Sequence, residues 1–116
     1  MRLARVLAAT ARINTSNPPT LFLARCIDVP DSGALRAEIR PRHLEFIEST
    51  LSDRIVLGGP LVADGAPRGS VLVLRGSSEA EIKSLLDQDP YVQGGLFAKV
   101  EIETFKGVAT ADTVDV

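Results

Sequence analysis

His43 is the only histidine in the chain, and imidazole is the side chain whose ordinary proton affinity lies near neutral pH. It sits in the run Arg40-Pro41-Arg42-His43-Leu44, at the edge of a stripe in which Leu44, Ile47 and Leu51 recur at i, i+3 and i+7. That position is neither deep core nor open solvent. Two readings stand: a general acid/base, or a half-exposed helix residue with no chemistry. Asp89 is the second candidate. It falls seven residues after Ile82 and extends the apolar stripe of a second helix just beyond its end. A carboxylate there meets the negative pole of the helix and calls for a partner or a task. Asp-Pro is also a common way to open a turn.

Other residues could line a site. Gly58-Gly59-Pro60 would let a ligand approach backbone closely, or mark a bulge or strand end. Arg40 and Arg42 could hold a carboxylate, or be a solvated helix start. Tyr91 and Phe97 could simply pack. No Gly-x-Ser-x-Gly elbow, phosphate loop or dinucleotide fingerprint is present. Cys26 stands alone, so there is no internal disulfide and no zinc spacing. No metal or cofactor is expected.

Six elements would position these residues. Residues 21–27 read as a first strand, apolar at nearly every position. The turn-rich loop Asp28-Val29-Pro30-Asp31-Ser32-Gly33 follows, then a short helical piece over 35–39. The main first helix starts after Arg40, with Pro41 in its first turn. Residues 55–57 form a second strand that runs into the glycines. A loop over 61–68, containing Asp64-Gly65, leads to the third strand, 71–74. That strand, Val-Leu-Val-Leu, is apolar on both faces and lacks the aromatics by which this topology binds RNA. Ser78 and Glu81 have capping-box spacing; Ile82, Leu85 and Leu86 are the second helix's stripe, and Pro90 should stop that helix near Gln88. In the last strand, 97–105, Ala98, Val100 and Ile102 alternate with charged residues. The β-α-β-β-α-β order is ferredoxin-like, an α+β fold. Two helices cover only one face of such a sheet, so the doubly apolar strands predict a second copy on the other face.

The chain has 116 residues, 45% hydrophobic and 24% charged, with a formal net charge of -2. That is one ordinary domain, without the basic footprint of a nucleic-acid or acidic-membrane binder. No apolar run approaches the ~20 residues of a membrane span. Residues 1–19 read as an N-terminal extension, 20–108 as the domain and 109–116 as a loose tail. Arg2, Arg5 and Arg12 lie in a stretch with no acidic residue before Asp28, a composition similar to a mitochondrial leader. The expected compartment is the cytoplasm, or the mitochondrion if the source is eukaryotic.

Four segments together resemble the YciI-like family (YCII-related domain). They are Asp28-Val29-Pro30-Asp31-Ser32, Arg40-Pro41-Arg42-His43-Leu44, Gly59-Pro60, and Asp89-Pro90-Tyr91-Val92 with Gly95-Leu96-Phe97. The resemblance implies a dimeric α+β barrel, two ferredoxin-like sheets packed face to face. It also implies a His and an Asp in a cleft as an acid/base pair, positions that fall on His43 and Asp89. Arg40, Gly59, Pro60 and Tyr91 are the expected substrate contacts. The wider superfamily includes muconolactone isomerases, and a dehydrochlorinase of a chlorinated hydroxyquinol is close to the family. The implied function is elimination or isomerisation of a small molecule; the alternative is a dimeric module that binds a small ligand without chemistry. The loop over 61–68 is shorter than in bacterial YciI, and the N-terminal extension is additional.

Overall fold

In the computed structural model, which describes residues 11–51, 53–111, 114 and 116, the elements in chain order are β1 (Ala11–Ile13), β2 (Thr20–Asp28), α1 (Gly33–Phe46), a π-helical turn (Ile47–Leu51), β3 (Ile55–Ala63), β4 (Ala66–Arg75), α2 (Glu79–Leu86), α3 (Pro90–Gln93), β5 (Phe97–Lys106) and β6 (Ala109–Ala111). Strands β3-β4-β2-β5 make one antiparallel sheet. With α1 and α2 this is the ferredoxin-like α+β arrangement that the element order predicts.

The faces follow from register. Phe22 lies opposite Leu74, and Ala24 opposite Leu72. These four pack with Ile82 and Leu86 of α2 into the main core. One residue out of phase, Leu23 lies opposite Val73, which is also opposite Leu57. Among the described residues no helix covers this second face. Val71 and Val73 are only half-buried, and Leu57 is 68% exposed.

Three local differences from expectation have physical causes. The first helix is not split at Arg40: it runs unbroken from Gly33 to Phe46 with Pro41 inside. Proline costs the helix one backbone bond to the carbonyl four residues back, and tertiary contacts on both sides of it hold the helix together. The loop over 61–68 is a two-residue turn. Asp64 and Gly65 take positive φ, 51° and 77°, and Ala63 faces Ala66 across it, the primed turn Asp-Gly favours. The rest of that stretch is strand; Pro67 lies where β4 has outrun β2, whose pairing stops at Ile27 opposite Gly69. Gly58, Gly59 and Pro60 accordingly lie within β3 and not at its end. Because β3 is an edge strand, Pro60 is tolerated there.

At the other side of the molecule β1 and β6 pair in a two-stranded ribbon, Ala11 opposite Ala111. It is tied down by Asn14 N–H to the Val108 carbonyl and Gly107 N–H to the Pro19 carbonyl, both 2.8 Å. The segment after Gly107, read as loose, thus contributes a strand, because its partner lies about a hundred residues back along the chain (on the order of the loop lengths whose contacts sequence periodicity does not report). Most of the leader-like start, residues 1–10, lies outside the described residues. Among the described residues no helix is long and apolar enough to cross a membrane.

Candidate functional site

Asp89 is placed by the change from one helix to the next. Its N–H still donates to the Leu86 carbonyl at 2.9 Å, while its φ and ψ of -69° and 128° are extended, as a residue before proline prefers. Pro90 then opens α3, and Asp89 Oδ1 accepts the Tyr91 N–H at 2.9 Å. The carboxylate is therefore an N-cap as well as the end of α2. Its side chain is 2% exposed.

The same oxygen meets His43. Nδ1 of the ring is 2.8 Å from Asp89 Oδ1, with the imidazole 13% exposed. A carboxylate can only accept, so Nδ1 carries hydrogen and donates. The second nitrogen, Nε2, is left as the ring's proton-accepting atom. The Tyr91 ring stacks on the imidazole at 3.9 Å between centroids and 15° between planes, and meets Phe97 edge-on at 5.8 Å. Ile39 and Leu96 complete the packing around it. Burial raises the Tyr91 hydroxyl above its ordinary affinity for its proton, against the pull of Arg36 and Arg40.

Arg36, absent from the sequence expectations, and Asp28, expected there only as part of a loop, complete the arrangement. Arg36 is buried in α1 and donates to both carboxylate oxygens of Asp28, Nε at 2.8 Å and Nη2 at 3.0 Å; Nη2 also reaches Ser70 Oγ at 2.8 Å. Its guanidinium lies 4.8 Å from the Tyr91 ring centre. Burial opposes this charge, but the bonds to Asp28 outweigh it and hold the proton more firmly than usual. The signal was present in the spacing: Arg36, Ile39 and His43 follow i, i+3, i+7. They form the inward face of α1, whereas Leu44 of the expected stripe is 44% exposed. Only Leu51 of that stripe is fully buried, brought inward by the π-helical turn.

A cavity of about 610 Å³ opens between α1 and the sheet. His43, Asp89, Tyr91, Arg40, Gly59 and Pro60 all line it, as do Arg36 and Ser70. Gly58 belongs to the same wall, and a Cβ built there would stand 2.5 Å from Leu72 Cδ2. Arg40 is exposed and has no carboxylate against it among the described residues. The arrangement offers one oriented imidazole, the exposed Arg40 guanidinium and largely apolar walls.

Cys26 lies on the cavity floor and is buried. Burial, reinforced by Asp89 and offset by Arg36, pushes its thiol up to about 12. It is therefore a poor nucleophile. An unfolded chain ionises this thiol near 9.0 and the folded chain only near about 12. Across that window the unfolded state has shed a proton the folded state keeps, so the thiol's contribution, complete below the lower value, is lost as pH rises. Urea titrations at increasing alkaline pH should show stability falling more steeply in the wild type than in Cys26→Ala, by up to about 1.4 kcal/mol per pH unit. Parallel curves would remove Cys26 as the cause.

These elements make a small ferredoxin-like α+β domain with a cleft between helix and sheet. Residues 20–106 match the YCII-related domain, and the chain belongs to that family. The protein YciI of Escherichia coli O6:H1 and that of Shigella flexneri are each 29% identical over 96 residues, 76% of this chain and 98% of theirs. Among solved structures the chain is similar to 5-chloro-2-hydroxyhydroquinone dehydrochlorinase (TftG) from Burkholderia phenoliruptrix AC1100 in complex with 2,5-dihydroxybenzoquinone. The identity is 33%, the TM-score 0.70, and the match covers 74% of this chain and 93% of that one.

Proposed function

We propose that this protein is a small-molecule enzyme in which His43 moves a proton during an elimination or an isomerisation, with Asp89 orienting the ring. The observation that carries the reading is the 2.8 Å bond from His43 Nδ1 to a buried Asp89 oxygen at the wall of the cavity. Nε2 takes a proton from carbon. In an elimination the released electron pair forms the new double bond as the leaving group departs with its own pair. In an isomerisation the proton returns to a different carbon of the same molecule. Neither course needs a metal or a cofactor. Arg40, three residues before His43, is one turn away on the same helix, so a substrate with an anionic oxygen beside its acidic carbon fits. A hydroxylated ring of the kind bound by the similar dehydrochlorinase supplies the anionic oxygen, and in its keto tautomer the adjacent carbon carries the acidic hydrogen.

The working particle in this reading is a homodimer joined through the helix-free face of the sheet, where Leu23, Val71, Val73 and Leu57 lie. Burying that face would remove at least the ~1,200 Å² typical of specific interfaces. The compartment proposed with it is the cytoplasm, or the mitochondrion if Arg2, Arg5 and Arg12 belong to an import leader.

Mass spectrometry of small molecules that copurify with native protein supplies substrates to assay. His43→Gln should lower turnover by about 10²–10⁴-fold, and Asp89→Asn should lower it too, with both variants still two chains per particle by light scattering. Wild-type turnover in His43→Gln would overturn the assignment of the proton transfer to His43. Ligand bound with no turnover by any protein would leave the non-catalytic binding module.

A further inference from the structure

The side chains that hold His43 do not end at Asp89. Against the face of the imidazole a second series runs inward through the Tyr91 ring, stacked on His43 at 3.9 Å, to the Arg36 guanidinium, 4.8 Å from that ring's centre, and on to Asp28 and Ser70. Arg36 and His43 are seven residues apart on α1, two turns and ~10.5 Å along the axis. A ring that is in contact with both is therefore held between them along one helix face.

We propose that Arg36 is a positioning residue for His43, acting through the Tyr91 ring. Three hydrogen bonds that it donates pin the guanidinium itself: two to Asp28 and one to Ser70, on neighbouring strands of the sheet. A planar guanidinium so fixed attracts the face of the tyrosine. The tyrosine in turn leaves the imidazole one plane to lie in, while Asp89 sets the rotation within that plane. Asp89 alone would not do this, because one hydrogen bond to Nδ1 permits the ring to tilt about it. Tyr91 is the link between the two devices. Its backbone N–H caps Asp89 at 2.9 Å and its ring stacks on His43, so a shift of Tyr91 disturbs both holds at once.

The proposal rests on reading His43 as the proton-moving group, but its test does not. His43 is the only histidine, so its ring signals are unambiguous in a nitrogen-15 spectrum of the full chain, with or without a substrate. In the wild type its carbon-bound ring protons should be shifted upfield by the stacked tyrosine, and its neutral form should be the Nδ1–H tautomer alone. Arg36→Lys keeps the positive charge opposite Asp28 and removes the planar group. Asp28→Asn combined with Arg36→Gln removes both charges together, which avoids leaving one buried without its partner. In each folded variant the upfield shift should shrink towards that of a free histidine and a second tautomer should appear. Tyr91→Phe, which keeps the ring, should retain the wild-type pattern. Unchanged His43 signals in folded Arg36→Lys and in the folded double variant would overturn the proposal and leave Arg36 a purely structural ion pair. Loss of turnover plays no part in that decision, so a failure of the enzymatic reading is separable from a failure of this one.

Discussion

Arg36→Met should lower stability by about 3–5 kcal/mol, and the melting temperature by on the order of 10–20 °C for a domain of this size. Methionine fills much of the space but leaves the Asp28 carboxylate, 3% exposed, with no cation beside it. Two hydrogen bonds of 2.8 and 3.0 Å disappear from its oxygens, and Ser70 loses a donor. Most of the cost is thus the isolated charge, and less of it is the loss of the pair's own attraction. The companion variant Asp28→Leu with Arg36→Met settles the apportioning. With both charges gone and apolar volume in their place, most of the lost stability should return. Thermal and urea unfolding of the wild type, the single variants and the double variant make a closed cycle. A single variant that melts within a degree or two of the wild type would mean that water reaches the Asp28 carboxylate.

The second large effect is at Tyr91. Truncation to alanine should cost about 3–5 kcal/mol, as for other large buried aromatics, because the ring is 1% exposed and packed among Ile39, Leu96 and Phe97. Here the loss has a functional side. The cavity beside His43 would widen where the ring was, and the imidazole would lose its stacking surface. Tyr91→Phe separates the two roles of this residue. It retains the ring and its packing and loses only the hydroxyl's interaction with Arg36, so its cost should stay below about 1.5 kcal/mol, and the Asp89 cap on the Tyr91 N–H is unaffected because that bond is to backbone. Unfolding curves for the two variants provide the check. A phenylalanine variant as unstable as the alanine one would place the weight on the hydroxyl instead.

How far the site could be read beforehand differs from residue to residue. Asp89 posed a choice between a turn residue and a partnered carboxylate, and the structure shows that one oxygen is both, capping Tyr91 N–H and accepting from His43. The Ser78–Glu81 capping box was legible because the Ser78 hydroxyl accepts the Glu81 N–H three residues on. Its other half was not: the Glu81 carboxylate turns to Ser77 and to Arg54 in the turn before β3. Those bonds lower the carboxyl's proton affinity. In α1 the apolar pattern pointed to Leu44, Ile47 and Leu51, while the face actually turned inward is Arg36, Ile39 and His43. A stripe with a charge at one end and an imidazole at the other looks solvated in the sequence. It is buried because Asp28 and Asp89 accept its hydrogen bonds from elsewhere in the chain.

The sequence by itself determined what depends on near neighbours: the six-element order, the alternation that assigns Leu72 and Leu74 to one face and Val71 and Val73 to the other, the Asp64-Gly65 turn, and the end of α2 before Pro90. Each of these is a matter of backbone preference or of period. Tertiary structure alone decided which charged groups meet. Asp28 and Arg36 are eight residues apart, His43 and Asp89 forty-six, and β1 finds β6 from the opposite end of the chain. No local preference records such pairings. They exist because a buried charge is tolerated only where folding brings a partner to it, and that partner can come from any distance along the chain.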